Sequence, residues 1–129
     1  MDLFMIEGIG VDIIEVKKIR AAARKWGGGF LRKVFTENEE KYCRSKRFPF
    51  LHFAGRFAAK EAIAKAMGTG FWRKGLTWTD FEIVNNGGGM AEVRVGERQR
   101  RRLRGKKIMV SISHCRDYAV ANAIICRAR

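Results

Sequence analysis

The first apolar run of the chain is MIEGIGVDIIEV, residues 5–16, rich in isoleucine and valine and punctuated by Gly8 and Gly10. That pattern predicts a strand whose end carries Asp12. In EVKKIRAAARKW, residues 15–26, Val16, Ile19 and Ala23 follow the helical period and leave Lys17, Lys18, Arg20, Arg24 and Lys25 mostly outside. Gly27-Gly28-Gly29 should stop that helix. Thr36 followed three residues later by Glu39 is a capping-box signature for a further helical segment in FTENEEKYC, residues 35–43. Pro49 marks a break. The longest helix is expected from about Pro49 to Met67, with Gly68 as its cap.

Beyond it, WTDFEIV (78–84) and AEVRV (91–95) read as strands around the turn NNGGG, and GERQRRRLRGKK (96–107) as a basic helix. Two closing strands, KIMVSIS (107–113) and YAVANAII (118–125), are joined by the turn His114-Cys115-Arg116-Asp117. Helices in the first half and strands in the second predict an α+β fold with antiparallel pairing. With no repeat, linker or shift in composition, residues 1–129 are expected to form a single domain.

Composition adds a direction. The chain is 47% hydrophobic and 31% charged with one proline, as a globular domain is. Its 27 basic and 13 acidic residues give a net charge of +14, an excess suited to attracting an anion. Nucleic acid, an anionic membrane, a polyphosphate ligand and an acidic protein all fit that charge. Cys43, Cys115 and Cys126 are odd in number and lack a C-x-x-C pair, which points to a reducing cytoplasm and away from a disulfide scaffold. Adding His52 and His114 gives no zinc-ligand spacing. Asp2, Glu7 and Asp12 interrupt any signal-peptide pattern, and no run approaches the ~20 apolar residues that span a bilayer.

The stretch RFAAKEAIAKAMGTG, residues 56–70, places Lys60, Glu61 and Lys65 in an alanine-rich helix. Glu61 and Lys65 are four apart and share a face, which also describes an ordinary surface pair worth ~0.3–0.5 kcal/mol. Phe57, four residues before Glu61, sets an apolar group on the same stripe. Asp12 reads either as a cap for the following helix or as a hard oxygen ligand of the kind Mg²⁺ takes. In SISHC, residues 111–115, Ser111 and Ser113 suit a phosphate with His114 as a further donor, or bond their own backbone. A triad of Ser113, His114 and Asp117 is disfavoured, because adjacent strand residues face opposite ways. Gly68-Thr69-Gly70 reads as a helix stop, since no phosphate-loop pattern surrounds it.

Four blocks in order, GIGVDIIEVKKI, FTENE, AGRFAAKEAIAKAMGTG and SISHCRDYAVA, resemble the holo-acyl-carrier-protein synthase family of small bacterial 4′-phosphopantetheinyl transferases. The resemblance covers nearly the whole chain. It implies an α+β domain, typically trimeric with active sites at subunit interfaces, that moves 4′-phosphopantetheine from coenzyme A to a serine of apo acyl carrier protein. By the same resemblance Asp12 and Glu61 correspond to the magnesium ligands, and Lys65 to a lysine near the coenzyme A pyrophosphate. Glu61 or a metal-bound water would take the serine proton. Arg56, Ser111, Ser113 and His114 correspond to the coenzyme A site. Lys18 stands where the family has an arginine, and with Lys17, Arg20 and Arg24 it forms a basic face suited to docking an acidic carrier protein.

Two places depart from the family pattern. Gly89-Met90-Ala91 stands where a glycine-lysine-proline is usual, and RQRRRLRGKK (98–107) is more basic than the family needs. That basic run is the argument for a nucleic-acid-binding module as a rival. No interleaved aromatics accompany it, and the enzyme reading is preferred over nucleic-acid binding.

Overall fold

The computed structural model describes residues 4–68 and 75–128. Thr69 and Gly70, which close the quoted stretch, lie outside the described residues.

Strand β1 (Phe4–Glu15) runs antiparallel to β5 (Tyr118–Ala128), which pairs on its other side with β4 (Lys106–His114). The sheet order is therefore β1-β5-β4, with β1 and β4 as opposite edges. A second, two-stranded sheet is the hairpin of β2 (Phe81–Asn85) and β3 (Ala91–Val95). The helices are α1 (Val16–Trp26), α2 (Gly28–Val34), α3 (Glu37–Arg44), α4 (Pro49–Ala66) and the single turn α5 (Glu97–Arg100). The expected α+β architecture with antiparallel pairing is what forms.

Helix α4 is the axis of the domain. Pro49 occupies its first turn, where a missing N–H costs nothing. Its inward positions, including Phe53, Ala58, Ala59, Ala62 and Ile63, meet Ala119, Ala121, Ala123 and Ile125 of β5 in one core. Alanine on both surfaces lets helix and sheet approach closely. The glycines of β1 complete the fit. A side chain at Gly8 would collide with the carbonyl of Ala66, and one at Gly10 with the carbonyl of Ala62. At the far end Gly68 follows the helix in the left-handed region, at φ +77°, and its N–H donates to Lys65 O.

Several expectations change in physical detail. Strand β1 continues to Glu15, so Asp12 lies within it and is not the cap of α1; Glu15 occupies the N-cap without a side-chain hydrogen bond. The first α1 N–H, of Val16, instead donates to Asp117 O in the β4–β5 turn. Only Gly27 breaks the chain, at φ +65°, and Gly28 and Gly29 begin α2. Burial of Leu31 and Val34 against the core outweighs the low helix propensity of glycine there. The basic segment 96–107 is helical only over Glu97–Arg100, consistent with repulsion among its closely spaced arginines.

The capping box of α3 forms as expected, with Thr36 Oγ1 accepting from Glu39 N and Glu39 Oε1 accepting from Thr36 N. Glu39 does more than cap. Its Oε1 also accepts from Lys60 Nζ at 2.6 Å, and its Oε2 from Ile83 N at 2.8 Å. Lys60 completes its set on the carbonyls of Val34 and Trp78. Both side chains are fully buried, so this fully satisfied pair ties α2, α3, α4 and β2 together.

Candidate active site

Helix α4 carries chemistry on two flanks. On the flank facing β1, Phe57 and Glu61 stand one turn apart beside Asp12. These three, with Lys18 of α1 and Tyr118 of β5, line an open cavity of about 360 Å³. Burial pushes the Glu61 carboxyl up from its ordinary value, and the negative charge of Asp12 adds to that push. Lys65, one turn further along, donates to Asp12 Oδ1 at 3.1 Å and to Val11 O at 3.0 Å. The intrahelical spacing suggested a Glu61–Lys65 pair; in the fold the lysine crosses to the strand.

The donor set suits a small hard cation. Two carboxylates from different elements converge on one cavity, and the charge of Asp12 disfavours that of Glu61, a conflict that a bound cation relieves. Among the described residues no cluster of three or more His, Cys, Asp or Glu side chains occurs. A two-carboxylate site is nonetheless what Mg²⁺ uses when phosphates and water supply the remaining ligands.

On the other flank, Arg56 and His52 face the β2–β3 hairpin and β4. They line a second cavity, of about 320 Å³, together with Tyr42, Asn85, Ser111 and His114. The Arg56 guanidinium lies 4.1 Å from the Tyr42 ring centre and donates from Nη2 to Asn85 Oδ1 at 2.6 Å. Its Nε is buried and has no hydrogen-bond partner among the described residues. A buried, partly satisfied guanidinium in a concave site has the chemistry to accept an anion.

The SISH segment divides between two faces. Val110 and Ile112 turn toward the core, leaving Ser111 and Ser113 exposed on the opposite face. Ser111 still borders the Arg56 cavity, and Ser113 lies outside its lining. His114 sits edge-on to His52 with ring centres 5.4 Å apart. Thus Arg56, Ser111 and His114 come together, and Asp12, Glu61 and Lys65 come together. Asp12 on β1 and the pair Ser111 and His114 on β4 stand at opposite edges of the sheet with β5 between them, and the two groups line different cavities. Residues 8–123 match the model of the family described as the 4′-phosphopantetheinyl transferase superfamily.

The chain belongs to that superfamily.

Within it, the chain is 48% identical over 120 residues to a holo-[acyl-carrier-protein] synthase of Protochlamydia amoebophila, covering 93% of this chain and 98% of that one. A crystal structure of the Bacillus anthracis holo-(acyl-carrier-protein) synthase in complex with CoA (3′,5′-ADP) superposes with a TM-score of 0.80 at 34% identity, over 95% of this chain and 98% of that chain. The Neisseria meningitidis holo-[acyl-carrier-protein] synthase superposes at 0.85 with 31% identity, over 94% and 98%.

The basic face of this transferase-family chain is as the helical period predicted. Lys17, Lys18, Arg20 and Arg24 are all exposed on α1. Lys17 and Lys18 lie 3.2 and 3.9 Å from Glu15, and Arg20 stands over the ring of Phe50. Sequence reasoning missed Tyr42, His52 and Asn85. His52 had a signal, being four residues before Arg56 on one helix face. Tyr42 and Asn85 had none, because only the tertiary fold brings them to Arg56.

Proposed function

We propose that the chain is a magnesium-dependent holo-acyl-carrier-protein synthase of the cytoplasm, serving fatty acid biosynthesis. It transfers 4′-phosphopantetheine from coenzyme A to a serine of apo acyl carrier protein and releases adenosine 3′,5′-bisphosphate. The observation that carries this reading is the convergence of Asp12 and Glu61 on one cavity in a chain of this superfamily.

Asp12 and Glu61 would hold Mg²⁺, which when bound neutralises the pyrophosphate of coenzyme A against an incoming oxygen. The chain's own residues perform the remaining tasks. Glu61 would accept the proton of the carrier serine as the serine Oγ bonds to the phosphorus of the pantetheine phosphate. The bond from that phosphorus to the bridging oxygen breaks, and the bisphosphate leaves with the electron pair. Lys65, half-exposed at the cavity edge, can turn from Asp12 to donate to a leaving phosphate oxygen. Arg56, Ser111 and His114 form the binding wall for coenzyme A. Lys17, Lys18, Arg20 and Arg24 present the docking face for the carrier.

The separation of the two residue groups supports an active site shared between copies. The outer face of β1 exposes Ile9, Val11 and Ile13, and β4 adds Met109 beside Ser111 and Ser113. A sheet face this apolar is suited to burial against another copy. A trimer closed through it would bring the Asp12 edge of one chain beside the Arg56 flank of the next. The reading is tested by following adenosine 3′,5′-bisphosphate release from coenzyme A. Release should require both apo carrier protein and Mg²⁺ and stop on chelation; release without carrier, or none with it, contradicts the proposal.

A further inference from the structure

The cavity at Arg56 contains an imidazole that the resemblance does not assign. His52 stands one turn before Arg56 on α4, with its ring edge-on to His114 of β4 and to Tyr42 of α3. Among the described residues, none that lines this cavity is acidic. The charged and titratable groups around His52 are His114, Arg56 below it, Lys46 in the loop before α4, and Tyr42. The hairpin contributes only uncharged groups, Asn85 among them. Together with the buried, unpartnered Nε of Arg56, these observations describe a pocket built for an anion.

We infer that His52 is a ligand-binding residue of this chain, donating as an imidazolium to a phosphoryl group of coenzyme A held against Arg56, and thereby coupling coenzyme A affinity to pH. This rests on the reading of the chain as a coenzyme A-dependent transferase. The shared chemistry is a phosphate anion, supplied by either the 3′-phosphate or the pyrophosphate. In the free protein, burial first, and then the positive charges of His114, Arg56 and Lys46, hold His52 below its ordinary value. A bound phosphate anion reverses that balance and favours the protonated ring. Binding therefore takes up a proton, and affinity rises as pH falls through the histidine range.

Calorimetric titration of the full chain with coenzyme A and with dephospho-coenzyme A, at about pH 6 and about pH 8, tests this. Two variants are compared with the parent, His52→Gln and His52→Phe, the latter keeping a ring against His114. Both are expected to bind coenzyme A about fivefold more weakly than the parent at the lower pH, with little difference at the higher. Both should also lose the proton uptake seen when the buffer is changed. If the 3′-phosphate is the partner, dephospho-coenzyme A is unaffected by either variant; if the pyrophosphate is, both ligands weaken alike. Variants that match the parent at the lower pH, or that lose equal affinity at both, overturn the role of His52. A parent chain that binds neither ligand overturns the functional reading itself, and this inference with it.

Discussion

Lys65 Nζ lies 3.1 Å from Asp12 Oδ1, bridging the end of α4 to the middle of β1. The contact places a cation beside the two carboxylates, at the point where the fold brings Asp12 and Glu61 to one cavity. It is a partly exposed pair and contributes ~0–1 kcal/mol to stability, so its position matters more than its strength.

Replacing Glu61 separates function from stability. In Glu61→Gln, turnover should fall by about a hundredfold or more and stay low at saturating Mg²⁺. Stability should move the other way. The Glu61 carboxyl is raised in the folded chain, so the fold retains its proton longer than the unfolded chain does. Stability from this group is therefore present at low pH and declines as pH rises through the glutamate range. Glutamine removes that decline, and the metal-free variant should melt slightly above the parent at neutral pH. A variant with near-parental turnover contradicts the site.

Gly10→Ala should be one of the most damaging small changes in the chain. Its methyl group meets Ala62 O and, at 2.8 Å, Ala66 N, both backbone atoms of α4 that cannot rotate away. The strand must move from the helix, at a cost of about 1–3 kcal/mol, and Asp12 moves with it. Chemical denaturation should report the loss of stability. Turnover should fall further than the unfolded fraction explains.

Lys60 and Glu39 predict a non-additive pair. Lys60→Met leaves the buried Glu39 carboxylate without a counter-charge, and Glu39→Leu leaves a buried ammonium without one; each should cost about 3–5 kcal/mol. The double variant should recover much of that loss, because no uncompensated charge remains. Thermal unfolding of the three variants measures the coupling, and additive losses contradict it.

The exposed β1 face predicts assembly. Ile9 is 73% exposed in the single chain, and Ile9→Asp places a charge in that apolar row. Light scattering should find a trimer for the parent and a monomer for the variant, with turnover lost in parallel. A monomeric parent with full turnover contradicts the shared site.

Local signals were legible in the sequence and non-local ones were not. Thr36 and Glu39 are three residues apart, so their capping box could be read directly. Glycine at positions 8 and 10 permits close approach of another backbone, and the fold supplies it in the carbonyls of Ala66 and Ala62. Lys60 looked like one of three helix charges. Its burial depends on Glu39, Val34 O and Trp78 O, all at least 18 residues away, which no helical period encodes. Gly28 and Gly29 read as a stop because propensity is local, whereas the burial of Leu31 and Val34 that holds them in α2 is tertiary. For the site, the GIGVD and KEAIAK blocks placed Asp12 and Glu61 on elements that do converge. The cavity around Arg56 was half-visible, since Tyr42 and Asn85 reach it only through α3 and the hairpin.

The transfer itself is most directly tested by intact mass spectrometry of an apo acyl carrier protein incubated with the chain, coenzyme A and Mg²⁺. The expected result is a gain equal to one phosphopantetheine group, absent with chelator and absent when the acceptor serine of the carrier is replaced by alanine. An unmodified carrier in the complete reaction, with the chain folded and coenzyme A bound, would contradict it.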